Sequence, residues 1–531
     1  MGRNCPKVFR KHKLEQIMVR HDRNISELWK ELPWKKFRVN LFRLQKLVFK
    51  AVQVKDMRKA RSLQKLILKS KSARLLAIRQ VTQLNAGKKT AGIDGKKSLS
   101  FEERFELEKI LAEHYINWKH SGLREIPIPK KDGTIRMLKV PTIADRAWQC
   151  LAKYAIEPAH EATFHAHSYG FRTGRSAHDA QKTLFNNLRS YCNGINKRVI
   201  ELDIEKCFDR INHSAIMNNL IAPSGLKLGI FRCLKAGVNV GFPDQGTPQG
   251  GVISPLLANI ALNGIESIHK SKDKWGDIYE PSVRYADDMV IILKPNEDAV
   301  IILAKISEFL AARGMKVSER KTKTTATKDG FDFLGWQFKC QKNGKFRSTP
   351  SVDNYKAFRK KVKAIVNSSN YGAKVKAEKL APIVRGWRNY HRFCKMNGSR
   401  NSLYHIESRA FKVFNKESKQ NRYSCKKLLD KAFPAIPYSE NRHNNVKGEK
   451  SPYDGDIIYW SERNSKLYDG MTSKALKKQN HSCKTCGLKF VGDEKVHLHH
   501  VDGNHNNWKT ANLVAIHESC HDYHHMSKSA S

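Results

Sequence analysis

Three groups of residues in this chain have the types and spacing to do chemistry. The first is Arg284-Tyr285-Ala286-Asp287-Asp288-Met289-Val290-Ile291-Ile292-Leu293, two adjacent carboxylates inside a β-prone, apolar run. In a continuous strand one Asp would face each side of the sheet, where an uncompensated buried carboxylate is costly. A tight hairpin turn removes that conflict by placing both on one edge, able to hold hard divalent cations through oxygen. Standing alone, the pair fits a solvated turn as readily, so partners elsewhere decide. The second group supplies one: Arg198-Val199-Ile200-Glu201-Leu202 reads as a strand, Asp203 falls near its end, and Phe208 follows five positions on. Phosphoryl transfer by two metal ions needs carboxylates converging from separate strands, one ion activating the attacking hydroxyl and the other stabilising the leaving group. Asp203, Asp287 and Asp288 meet that requirement. The third group is C-terminal. Cys483-Lys484-Thr485-Cys486, with His517 and Cys520 as a second knuckle, has the ligand spacing of a tetrahedral structural zinc site. Around it lie His499, His500, Asn512, His521 and His525.

The rest of the chain must position these groups. Lys and Arg outnumber Asp and Glu by 98 to 50, a formal charge of +48 spread along 531 residues. Self-repulsion of that size opposes compaction, so a long polyanionic partner is expected. No run of about 18 apolar residues and no signal-peptide core is present, which points to a soluble, non-secreted protein without a membrane partner. Eleven cysteines, mostly scattered singly, predict reduced buried thiols. Apolar residues at helical spacing from Trp34 to Leu84, interleaved with Lys and Arg, predict basic amphipathic helices. Gly87, Gly92 and Gly95 mark a loop whose amides can approach phosphate. Arg124 to Leu138 reads as two short strands around an Asp132-Gly133 turn, with Lys130 and Arg136 flanking it. Tyr169 to Ser176 is a Gly- and Arg-containing loop, and Gly246-Thr247-Pro248-Gln249-Gly250-Gly251 is another that lets a nucleotide near the backbone. Glu319 to Lys323 reads as a basic turn and Phe331 to Trp336 as a core strand. From Asp353 to about Lys419 the pattern is helical and basic, with Trp387 expected in its core. From Tyr423 to Asn480 periodicity fades, and a linker is expected with Tyr453, Tyr459 and Trp460 as ordered islands.

These segments, in this order, resemble the reverse transcriptase of mobile group II introns, the intron-encoded maturase family. The likeness spans about Asn85 to Trp336 for fingers and palm, and Tyr285-Ala286-Asp287-Asp288 matches the family's active-site signature. The resemblance implies an α+β multidomain chain: a basic helical extension (1–84), right-hand polymerase fingers and palm (85–345), a helical thumb or maturase domain X (346–422), a DNA-binding region (423–479) and a small nuclease domain (480–531). It implies Mg²⁺ on Asp203, Asp287 and Asp288, a 2′-hydroxyl-excluding role for Phe208, triphosphate contacts for Lys130 and Arg136, and a template-and-nucleotide loop containing Gln249.

The C-terminal histidines resemble an HNH, or ββα-metal, endonuclease. That pattern makes His500 the general base, puts His499 and His521, with His525 as a further candidate, on one divalent ion, and has Asn512 orient the loop. Adjacent His499 and His500 face opposite sides of a strand, so one can bind metal while the other takes a proton. His497, His505 and His524 are surplus to the pattern, and His517 stands where many members carry Cys. The resemblances together imply retrohoming: binding and splicing of intron RNA, nicking of double-stranded target DNA, and primer extension with deoxynucleoside triphosphates, in a bacterial cytoplasm or nucleoid or an organelle matrix. The alternatives are an RNA-binding splicing cofactor with idle enzymatic domains and a freestanding endonuclease carrying a polymerase-like fold.

Overall fold

The computed structural model describes residues 25–129, 133, 135–236, 244–272, 275–396, 403–418, 421–468, 470–490, 494–505 and 507–522. The chain opens with α1 (Ile25–Glu31), α2 (Trp34–Gln53), α3 (Met57–Lys69), α4 (Lys71–Arg79) and α5 (Phe101–His114). Local chemistry sets their starts: Asp56 accepts from Lys59 N, Ser70 accepts from Ala73 N, and Ser100 with Glu103 forms a reciprocal capping box. The stripe Leu41, Val48, Phe49 and Val52 of α2 is buried, and α2, α3 and α4 all pack on α6 (Ile143–Glu161), which is buried along most of its circumference. Ahead of α6 stands the expected hairpin of β1 (Arg124–Pro129) and β2 (Ile135–Val140), paired from Arg124↔Val140 to Pro129↔Ile135. The Gly-containing loop before α5 is held from α6, because Arg146 donates to Gly87 O at 3.1 Å and to Thr90 O at 2.8 Å.

After α7 (Ala177–Leu188) comes β3 (Arg198–Leu202), one of the two inner strands of a four-stranded antiparallel sheet. Its neighbours are β6 (Ser282–Tyr285), β7 (Asp288–Leu293) and β8 (Lys323–Ala326) in the order β6-β7-β3-β8, while β4 (Ser271–Lys272) and β5 (Ile278–Tyr279) form a separate short hairpin. The run from Met289 to Leu293 is buried on both faces because the sheet is a wall between two cores. Met289, Ile291 and Leu293 join the core of α6 and the N-terminal helices, whereas Val290 and Ile292 join a second core with β9 (Phe331–Phe333), β10 (Trp336–Cys340) and β11 (Phe346–Pro350). Four helices, α8 (Val352–Val366), α9 (Ala373–Tyr390), α10 (Tyr404–Ser418) and α11 (Arg422–Ala432), share that second core. Trp387 stacks on Phe358 there at 4.4 Å between centroids. The described cysteines are all free thiols, and among the described residues no helix is long and apolar enough to cross a membrane.

The segment expected to be a linker is packed onto the rest of the fold. Helix α11 packs with α9 and α10, and residues 434–451 then run as an extended strap to α12 (Ile457–Leu467) and α13 (Gly470–Lys478). The strap converges on Asp179 of α7, a fully buried carboxylate that accepts from Arg463 at 2.8 Å, His443 at 3.0 Å and Val446 N at 3.0 Å. Tyr453 donates to Glu157 at 3.0 Å, and Trp460 is buried over Gly174. Each anchor is a single residue whose partner lies far away in sequence, which is why no periodicity marks the segment. A final small unit pairs β12 (Val496–His500) with β13 (Leu513–His517), followed by a helical turn through Asp522.

Candidate functional site

The ladder between β6 and β7 ends at Tyr285↔Asp288, so Ala286 and Asp287 form the loop and Asp288 is the first residue of β7. Asp287 is thus the second residue of a tight two-residue loop and Asp288 opens the returning strand. Ala286 has φ of 61°, a left-handed conformation that a residue with a Cβ adopts only when its surroundings impose it. Arg284 imposes it. This fully buried side chain ion-pairs with Glu266 at 2.6 Å and donates to Asn259 Oδ1 at 2.9 Å, Ser168 Oγ at 2.8 Å and Ala286 O at 3.0 Å. Behind the turn runs Gly170, where a Cβ would lie 2.2 Å from Ala286 N, so the close approach requires glycine.

Asp203 directly follows Leu202, whose partner across the sheet is Met289, so it stands beside the β7 end that begins with Asp288. Its amide donates to Thr322 Oγ1 at 3.3 Å, its carbonyl accepts from Ser318 N at 2.8 Å, and Lys321 Nζ lies 3.3 Å from its carboxylate. Loss of water around the turn raises Asp287, the charge of Asp203 raises it further, and Arg136 and Arg284 pull the other way. Asp288 is pushed up to about 6, first by lost hydration, then by the charges of Asp287 and Asp203, with Lys321 opposing. The charge of Asp203 on Asp287, and of both on Asp288, marks a site with excess negative charge, which a hard divalent cation relieves through carboxylate oxygens. The donor set fits Mg²⁺.

The neighbouring side chains line the approach. Arg136 on β2 is exposed and its charge reaches Asp287; Lys130 lies outside the described residues. Gln249 O accepts from Lys139 N at 2.7 Å, tying its loop to β2, and Gln249 Nε2 donates to Asp209 Oδ1 at 3.3 Å, tying it to the residue after Phe208. Gln149 holds the same loop by accepting from Val252 N at 2.8 Å. Phe208 is half-buried and meets Phe171 edge to face at 6.4 Å. Sequence reasoning did not assign Lys321, Gln149, Phe171 or the clamp role of Arg284. Only Arg284 carried a signal, as a cation inside an apolar strand.

In the C-terminal unit Cys483, Cys486, His517 and Cys520 offer one ligand atom each, all within 4.8 Å of one another. A Zn–S bond near 2.3 Å in a tetrahedron asks for ligand separations of about 3.8 Å, so a slight contraction closes the set. Hydrogen bonding from Cys486 and Cys520 already pushes the Cys483 thiol down. Three thiols and an imidazole are a zinc donor set, and Nδ1 of His517 faces it, 3.4 Å from Cys486 Sγ.

The histidines divide as strand alternation requires. The His499 and His521 rings meet at 5.6 Å between centroids, but His497, expected to be surplus, comes within 4.9 Å of His521. His500 faces the other way, is buried with Nε2 unpartnered among the described residues, and meets His505 and Trp508 edge to face. Asn512 fixes the intervening loop, donating to Asp502 Oδ1 at 2.8 Å and Asn507 O at 2.9 Å and accepting from Asp502 N at 3.0 Å. His525 lies outside the described residues.

Comparison with known proteins gives the class first. Residues 128–338 match the reverse transcriptase (RNA-dependent DNA polymerase) family, and residues 29–111 match the N-terminal domain of reverse transcriptase. Residues 355–432 match the maturase-specific domain of group II introns. The chain is 40% identical over 403 residues to Maturase-like protein 1 of Euglena gracilis, covering 75% of this chain and 85% of that protein. It is 31% identical over 319 residues to protein YkfC of Escherichia coli, covering 52% and 84%, and 27% identical over 336 residues to group II intron-encoded protein LtrA of Lactococcus lactis, covering 50% and 55%. This chain belongs to the group II intron reverse transcriptase and maturase family.

Proposed function

We propose that the protein copies intron RNA into DNA at Asp203, Asp287 and Asp288, assists splicing of that RNA, and nicks target DNA with its C-terminal unit. The observation that carries the polymerase reading is the placement of Asp203 and Asp288 at one end of the β3-β7 pair beside Asp287, where the charge of Asp203 raises both of the others. Asp203 and Asp287, with Asp288 in support, would hold Mg²⁺, which would supply activation of the primer 3′-hydroxyl and charge for the departing pyrophosphate. The hydroxyl oxygen bonds to the α-phosphorus as the bond to pyrophosphate breaks. Arg136 and Lys130 hold the triphosphate, Phe208 sets the floor under C2′ so that a 2′-hydroxyl clashes, and the Gln249 loop positions the template base pair. The basic surface favours RNA and target DNA as partners.

The nuclease reading rests on the ββ pair, the His499–His521 contact and the inward His500. His500 takes the proton of the attacking water, His499 and His521, with His525, would hold a divalent ion that would supply positive charge to the phosphate, and Asn512 steadies the loop. Zinc on Cys483, Cys486, His517 and Cys520 staples the unit. A bacterial cytoplasm or an organelle matrix is the proposed setting. Two assays on the full chain test the combination. Sequencing of co-purifying RNA is expected to return an excised intron, and unrelated transcripts alone would remove the maturase role. His500→Ala is expected to abolish nicking of the target strand while extension of a supplied primer continues; loss of both, in a protein that still folds, would contradict separate sites.

A further inference from the structure

The zinc reading above leaves one feature of its surroundings unexplained: two arginines from the N-terminal helices converge on the C-terminal unit. Arg38 of α2 pairs through Nη2 with Glu494 and places Nη1 3.5 Å from His517 Nδ1. Glu494 in turn faces the far side of that imidazole, its Oε2 3.2 Å from Nε2. Arg79, the last residue of α4, is buried, donates to Ser519 O at 3.1 Å beside Cys520, and lies over the Trp34 ring at 4.5 Å. Arg38 and Arg79 thus bring two positive charges to the surroundings of the same Cys/His cluster. Like charges are gathered at a cost unless something anionic balances them. Zinc bound by three thiolates and one neutral imidazole has a net charge of −1, and Glu494 adds another.

We propose that the N-terminal helices complete the metal centre, with Arg38 and Arg79 as its outer-sphere cations and Glu494 as the carboxylate between Arg38 and the ligating imidazole. A carboxylate on the free nitrogen of a metal-bound histidine fixes the tautomer and raises ligand basicity. Here that carboxylate is itself held by another part of the chain, 456 residues away in sequence. Metal loading and docking of the C-terminal unit on α2 and α4 are therefore one linked equilibrium: zinc tightens the dock, and the dock slows zinc loss. Arg38, Arg79 and Glu494 are positioning residues, since none is a ligand.

The inference rests on the zinc assignment, so the test separates the two. Zinc content of the purified full chain is measured first, and its release to a coloured chelator is then timed. One zinc per chain is expected; a chain that takes none overturns assignment and inference together. Arg38→Ala and Arg79→Ala are each expected to weaken metal retention by about 10- to 100-fold, the range for outer-sphere partners. The charge swap Arg38→Glu with Glu494→Arg is expected to restore part of what Arg38→Glu alone loses, a rescue that general destabilisation does not produce. Hydrogen exchange supplies the reciprocal arm: stripping the metal from wild type is expected to expose amides near Arg38 in α2 while β3 and β7 stay protected. Wild-type zinc retention in both alanine variants, no rescue by the swap and no change in α2 on stripping would overturn the coupling while leaving the zinc assignment intact.

Discussion

The palm and the C-terminal unit solve the same problem, gathering anionic metal donors in one place, by opposite means. In the palm the donors are hard carboxylates at the edge of a sheet buried between two large cores, and rigidity comes from the scaffold: Arg284 with Glu266 behind the turn, and Gly170 against it. The C-terminal unit has few buried apolar residues among those described and its donors are soft, so on the proposed zinc assignment its rigidity comes from the metal and from Arg38 and Arg79 outside. On the proposed metal assignments, the difference predicts that the first site keeps its shape without an ion, whereas the second needs one to hold its shape.

The largest effect that sharpens this contrast is metal removal. A zinc chelator is expected to abolish hydrogen-exchange protection of β12 and β13 while β3 and β7 keep theirs, because structural zinc contributes about 10–16 kcal/mol to small finger peptides. Joint loss in all four strands would break the comparison. Next is the palm's own staple. Arg284→Ala leaves Glu266 charged and buried, so about 3–5 kcal/mol of unfolding free energy should disappear in denaturant titration, together with primer extension; a variant of native stability would contradict the clamp. A smaller loss is expected from Gly170→Ala, whose methyl meets backbone rather than a movable side chain, at about 1–3 kcal/mol, with primer extension reduced.

The smallest effect concerns pH. Asp288, at about 6 against an ordinary 3.8, holds its proton more tightly in the folded chain than in the unfolded one. Its charge thus destabilises the metal-free fold fully above about pH 6, and that penalty fades as pH falls toward 3.8. Asp288→Asn should raise the thermal midpoint of the metal-free protein at neutral pH and flatten that dependence. In wild type, extension at limiting Mg²⁺ should fall as pH drops through about 6, as protons displace the cation. An unchanged midpoint in the variant would show that the carboxylates do not crowd one another.

How much of this was legible in the sequence followed from the range of each interaction. Asp203, the Asp287-Asp288 turn, the β1-β2 hairpin and the Cys483-Cys486 knuckle announce themselves over a few residues, since strand alternation, turn chemistry and ligand spacing are local. The Asp179 anchor was hidden because its partners, His443, Val446 and Arg463, come from a segment that reads as loop. Lys321 looked like any surface cation until the fold put it on Asp203. The grouping of His497 with His521 depended on where the helical turn after β13 lands, which strand alternation alone does not decide.

The central claim is that the three palm carboxylates carry RNA-templated DNA synthesis. Its most direct test compares wild type with Asp287→Ala on an RNA template with an annealed DNA primer, measuring template binding and nucleotide incorporation together in saturating Mg²⁺. The account expects unchanged binding and incorporation lowered by on the order of 10²–10³ or more, the scale for removing preorganised charge stabilisation. Equal incorporation by the two proteins would contradict it.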